Sequence, residues 1–100
     1  MSFWNWFQRP DFQMLLEQAR ASGAQIIDVR TAEEYRQGHV PGSRNIPLAQ
    51  IHTLRHDSAP LYLYCQSGAR SARACALLKR SGSQAINMGG ISAYSGPLER

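Results

Sequence analysis

The sequence is short of several things, and each shortage excludes something. It holds two cysteines, Cys65 and Cys75, in 100 residues. Two are too few for a disulfide-stapled mini-fold. Their separation is also not the CxxC spacing of zinc or dithiol sites. A reducing compartment, the cytoplasm by default, is therefore expected. Lysine occurs once, as Lys79, against ten arginines. A guanidinium is a planar fork that suits oxyanions, whereas an ammonium is a point charge. The bland reading of these arginines is surface charge with a compositional bias. Nowhere do ~18 apolar residues run together, which excludes a spanning helix. The start, Met1 to Phe7, has no basic stretch, long apolar run or small-residue cleavage site, so it does not read as a secretory signal. Acidic residues are missing from 58–98, which carries Arg70, Arg73, Lys79 and Arg80, while the remainder holds seven basic and seven acidic groups. The resulting net charge of +4 is too mild to indicate a nucleic-acid binder.

What is present fits one compact domain. Hydrophobic residues make up 43% of the chain and charged residues 18%, which argues against disorder. The first seven residues concentrate four of the nine aromatics, Phe3, Trp4, Trp6 and Phe7. Residues 1–10 read as an aromatic extension and 11–100 as the domain. The extension is expected to be a flap packed on that domain, with a homodimer contact or a membrane anchor as sharper alternatives. The lack of a basic residue before Arg9 argues against membrane contact.

Pro10-Asp11 opens a helix over roughly 11–21, with Phe12, Leu15, Leu16 and Ala19 as its apolar stripe and Gly23 as its stop. Gln25 to Val29 reads as a buried strand. Thr31-Ala32-Glu33-Glu34 is a capping box that starts a helix to about Gln37. Gly38 to Pro47 reads as loop, and Leu48 to about Leu54 as another short helix. Leu61 to Tyr64 is a second strand, Cys65 to Arg70 a small-residue loop, and Ser71 to about Ser81 an Ala/Leu-rich helix. Gln84 to Met88 is a third strand, and the tail from Ser95 is loop. Strands alternating with helices predict an α/β domain with a small, mostly parallel sheet.

The segment Cys65-Gln66-Ser67-Gly68-Ala69-Arg70-Ser71 carries chemistry. A thiol at the carboxyl end of a parallel strand stands where open α/β sheets place ligands. Gly68 allows a tight turn, and consecutive N–H groups in such a turn converge into an anion nest. The following helix adds the positive end of its dipole. A thiolate there is stabilised, so Cys65 should titrate below the free value of ~8.5. The alternative is a small hydrophobe at a strand end.

Cys-x-x-Gly-x-Arg-Ser after a hydrophobic strand resembles the active-site loop of the rhodanese family of sulfurtransferases. Two further stretches are similar to the family's pattern. One is Asp28-Val29-Arg30 followed by Glu34-Tyr35-Arg36-Gln37-Gly38-His39-Val40-Pro41-Gly42-Ser43-Arg44-Asn45-Ile46-Pro47. The other is Met88-Gly89-Gly90, which is like the closing Gly-Gly turn. The resemblance implies a parallel sheet with helices on both faces. It implies a Cys65 thiolate that takes the outer sulfur of thiosulfate and passes it from a persulfide to cyanide or a cellular thiol, with no cofactor and no metal. It also implies a pocket shaped by Gln66, Ser67, Gly68, Ala69 and Arg70, with Arg73 less central. Related phosphatases and arsenate reductases have seven residues from Cys to Arg; Cys65 to Arg70 is six, which favours sulfur chemistry. Tyr94 stands where the family commonly has Trp. The family often has a strand before the first helix; the aromatic segment Phe3–Phe7 stands in its place and does not resemble that strand, so the first part of the sheet is expected to be missing, replaced or supplied by a partner chain.

Other candidates have plainer readings. Asp28 and Arg30 are expected to form a structural pair, and His39 to bond backbone groups in its turn. His39, His52 and His56 lack metal-ligand spacing. Cys75 reads as core, with a resolving thiol as the alternative. A persulfide carrier and a non-catalytic binding module are the competing functions.

Overall fold

The computed structural model describes residues 11–54 and 58–100. The aromatic extension, with its proposed flap, dimer and membrane roles, lies outside the described residues. Helix α1 (Phe12–Ser22) starts because the Asp11 carboxylate accepts the Met14 N–H at 2.8 Å. It stops because Gly23 takes φ 70°, a left-handed conformation that glycine adopts without a Cβ penalty. The stripe predicted from spacing, Phe12, Leu15, Leu16 and Ala19, is buried.

Four strands form one parallel sheet in the order β2-β1-β3-β4: β1 (Gln25–Asp28), β2 (Arg44–Asn45), β3 (Leu61–Cys65) and β4 (Ala85–Gly90). The intervening helices are α2 (Ala32–Gln37) and α3 (Ala69–Arg80). Side chains alternate across the sheet. Ile27, Leu61, Leu63 and Cys65 pack with Ala74, Cys75 and Leu78 of α3. Ile26, Tyr62 and Tyr64 pack with Phe12, Leu15, Leu16 and Ala19 of α1. Helices therefore cover both faces, and every residue of β3 is buried, as a central parallel strand requires.

The structure departs from the sequence reading in three places. Strand β2 falls inside the stretch read as loop. It is two residues long, too short to alternate, and it is held by the Asn45 amide, which donates to the carbonyls of Asp28 at 3.0 Å and Arg30 at 2.9 Å. The short helix expected from Leu48 is present, as a 3-10 helix over Leu48–Thr53. Strand β4 runs on to Gly90 because Cys65 pairs with Gly90 beyond a register shift at Leu63/Tyr64. Helix α3 begins at Ala69 rather than Ser71, so only three residues separate it from β3. Gly68 at φ 103° makes that shorter loop possible.

The tail is mostly irregular, yet Glu99 forms an antiparallel bridge with His39. His39 Nδ1 lies 2.8 Å from the Tyr35 carbonyl oxygen and its ring stacks on Tyr35, so it serves its turn, as expected. Tyr64 anchors the same loop: its hydroxyl accepts the Val40 N–H at 3.1 Å and meets Ser43 Oγ at 2.9 Å. Among the described residues no helix is long and apolar enough to cross a membrane.

Candidate active site

Cys65 ends β3, and the chain turns at once over its sulfur. The Gly68 N–H points at Sγ from 3.0 Å, the Ser71 N–H from 3.4 Å and the Ser71 hydroxyl from 3.4 Å. Burial raises the thiol's pKa, but these donors and the Ser67 N–H outweigh it and hold Cys65 below the ordinary thiol range. The sulfur thus sits at the amino end of α3, whose first turn has no acidic residue to cancel the dipole. Cys65 is only 1% exposed, so the thiol lies under its loop.

Ser71 closes the Cys-x-x-Gly-x-Arg-Ser pattern, which gives it no role of its own. Its hydroxyl has one proton and three acceptors in reach: Asn87 Oδ1 at 2.7 Å, the Gly68 carbonyl at 3.1 Å and Cys65 Sγ at 3.4 Å. Of the three, a thiolate sulfur would make the charge-assisted and so the stronger bond. Asn87 is a second positioning residue missed in the sequence. Its amide donates to the Gly68 carbonyl at 3.2 Å and accepts from Gly89 N–H at 3.0 Å. It therefore clamps the loop onto β4.

The other expected site residues are placed as follows. Gln66 is exposed and its carbonyl accepts from Ser92 N–H at 3.4 Å. Ser67 contributes its N–H to the sulfur, and Ala69 is the exposed first residue of α3. Arg70 turns to Glu34 of α2: Nη1 donates to Oε1 at 2.7 Å and Nη2 to Oε2 at 3.0 Å. That contact holds the Glu34 carboxyl down at about 2, helped by the bonds from Thr31 and opposed by burial. Arg73 is exposed, and among the described residues it has no carboxylate at ion-pair distance.

Asp28 and Arg30 form the expected buried pair, 2.7 Å apart at Oδ2 and Nη2, with Arg30 also donating to the Gly38 carbonyl at 2.8 Å. Cys75 is buried on α3, and burial pushes its thiol up to about 11, which favours the core reading over a resolving thiol. Among the described residues no three His, Cys, Asp or Glu side chains gather as a metal site; His56 lies outside them. Tyr94 packs its ring 5.7 Å from Phe12 and donates its hydroxyl to the Pro97 carbonyl at 2.7 Å.

A thiol at the carboxyl edge of a parallel sheet, faced by N–H donors at a helix start, belongs to a protein of the α/β class. A model of the rhodanese-like domain matches residues 11–96, and the chain belongs to that family of sulfurtransferases. The uncharacterized protein YqhL of Bacillus subtilis is 37% identical, over 93% of this chain and 80% of its own. The thiosulfate sulfurtransferase PspE of Escherichia coli is 34% identical, over 71% of this chain and 74% of its own. A rhodanese-like domain protein from Staphylococcus aureus superposes with a TM-score of 0.72 at 32% identity, covering 84% of this chain and 89% of its own.

Proposed function

We propose that the protein moves a sulfane sulfur from thiosulfate, through a persulfide on Cys65, to a thiol or cyanide acceptor. The observation that carries this reading is the Cys65 sulfur facing the Gly68 N–H at 3.0 Å and the Ser71 N–H at 3.4 Å. In the first half-reaction the thiolate attacks the outer sulfur of thiosulfate. The S–S bond breaks, its electron pair leaves with sulfite, and an anionic persulfide remains on Cys65. The N–H groups that lower the thiol's pKa are placed to stabilise that anion as well. In the second half-reaction cyanide or a thiolate takes the outer sulfur and the Cys65 thiolate returns. Two half-reactions through a covalent intermediate give ping-pong kinetics.

A thiosulfate-to-cyanide assay beside Cys65→Ser tests the reading. Turnover by the wild type and none by the variant is expected. Protein that carries one extra sulfur by mass without turnover would instead make it a persulfide carrier. Neither turnover nor persulfide would leave a binding module. Release of phosphate from an aryl phosphate would overturn the sulfur chemistry.

A further inference from the structure

The outer face of α3 is not the mixed polar face of an ordinary surface helix. It carries Arg73, Ala76, Leu77 and Arg80 at neighbouring helical positions. All four are exposed, and together they line one depression. Leu77, at 44% exposure, also lines two hollows beside the 3-10 helix. One, of about 450 Å³, includes Leu48 and Arg73; the other, of about 310 Å³, includes Ile51 and Leu54. The three meet at Leu77 and form a groove along α3. Among the described residues no Asp or Glu lines any part of it. Among those residues, too, neither Arg73 nor Arg80 has a carboxylate at ion-pair distance.

We infer that this groove is a docking surface for an acidic, leucine-bearing segment of a partner protein. Its apolar side chains sit against Leu77, and its carboxylates meet Arg73 and Arg80. Arginines around an apolar centre, with acids absent, are the composition of a protein interface. Two unpaired guanidiniums fix the sign of the partner's charge. A second copy fits badly, because a two-fold contact lays a patch on itself and would face guanidiniums with guanidiniums. Nucleic acid also fits badly, since no Phe, Tyr or Trp lines the groove for bases to stack on. The chain's own extension leads into Asp11, the cap of α1, and α1 covers the opposite face of the sheet. The inference does not rest on the sulfur chemistry and holds whatever Cys65 transfers.

The test is fluorescence anisotropy with a labelled peptide of about 12 residues, ~18 Å as a helix, with Glu and Leu along one face. One twin has glutamine for each glutamate, and another has alanine for each leucine. Saturable binding is expected. It should weaken roughly tenfold with either twin, in Leu77→Ala and in the double variant Arg73→Glu, Arg80→Glu. The double variant should instead bind a twin with lysine for each glutamate, a swap that loss of the fold could not produce. Arg20→Glu, on α1, should leave the affinity within about twofold. No binding, or equal binding of the glutamine twin, overturns the proposal. So does a wild-type dimer in sedimentation that Leu77→Ala dissociates, which gives the groove to a second copy. Tighter binding of a single-stranded oligonucleotide, lost in the double variant, overturns it as well. So does a change in tryptophan emission on Leu77→Ala without peptide, because both tryptophans, Trp4 and Trp6, lie in the extension.

Discussion

Cys65 and Cys75 are both buried, at 1% and 4% exposure, yet their surroundings drive them apart. Cys65 has N–H donors and a hydroxyl aimed at its sulfur. Cys75 lies in the apolar cluster under α3 and is pushed up to about 11 by burial, with only the Lys79 charge, one turn on, against it. Thiolate is the form that reacts with alkylating agents. As pH rises, Cys65 should ionise first and Cys75 stay a thiol until the solution approaches its raised value. Iodoacetamide at neutral pH is therefore expected to give a single adduct, on Cys65. Its rate should climb with a midpoint below the free-thiol value of ~8.5. Peptide mass mapping checks the site, and an adduct forming first on Cys75 would contradict the assignment. Cys65 and Gly68 were legible in the sequence because a strand end, a thiol and a glycine lie within four residues. Glu34 and Asn87 were not. Glu34 shows as a helix cap, and nothing local reveals that Arg70, 36 residues on, meets it in the folded chain.

Strand β4 and the β3–α3 loop depend on each other through Gly90. A Cβ at that position would lie 2.4 Å from the Gln66 carbonyl oxygen, 2.7 Å from Ser67 Cα and 2.9 Å from the Ser67 carbonyl carbon. All three are backbone atoms, so no side chain can swing aside. The Gly-Gly turn is a seat for the active-site loop. Gly90→Ala should push that loop off Cys65, lower sulfur transfer tenfold or more and destabilise the fold by about 1–3 kcal/mol. Thermal melts and the thiosulfate assay measure both. A variant with wild-type rate and melting would show that the loop does not need this contact. The pattern of elements was largely readable, since the stripe of α1, the capping box of α2 and the apolar run of β3 are local signals. The two-residue β2 and the last two residues of β4 were not. They are strands by virtue of their partners, Ile27–Asp28 and Tyr64–Cys65, and their own sequence has no β signature.

Across the whole molecule, the fold redraws the charge map. The chain has a net charge of +4, all of it in residues 58–98, which reads as a local field for an anion. In three dimensions that field is largely dispersed. Glu34 crosses from the other half of the sequence and neutralises Arg70. Lys79 and Arg80 sit in the last turn of α3, where they suit the negative end of the dipole and lie about 15 Å from its first turn. That exceeds the Debye length of ~8 Å at physiological salt, so neither contributes much at Cys65. What remains near Cys65 is the amino end of α3, with the exposed Arg73 further along that helix. The salt dependence of thiosulfate capture should accordingly be shallow in the wild type, about a twofold fall in kcat/KM between ~0.05 and ~0.5 M salt. In Glu34→Gln it should be steeper, because a released Arg70 adds a charge that salt can screen. A wild-type fall of an order of magnitude would mean that the basic segment acts as one field, and that the pairing of Arg70 with Glu34 does not hold in solution.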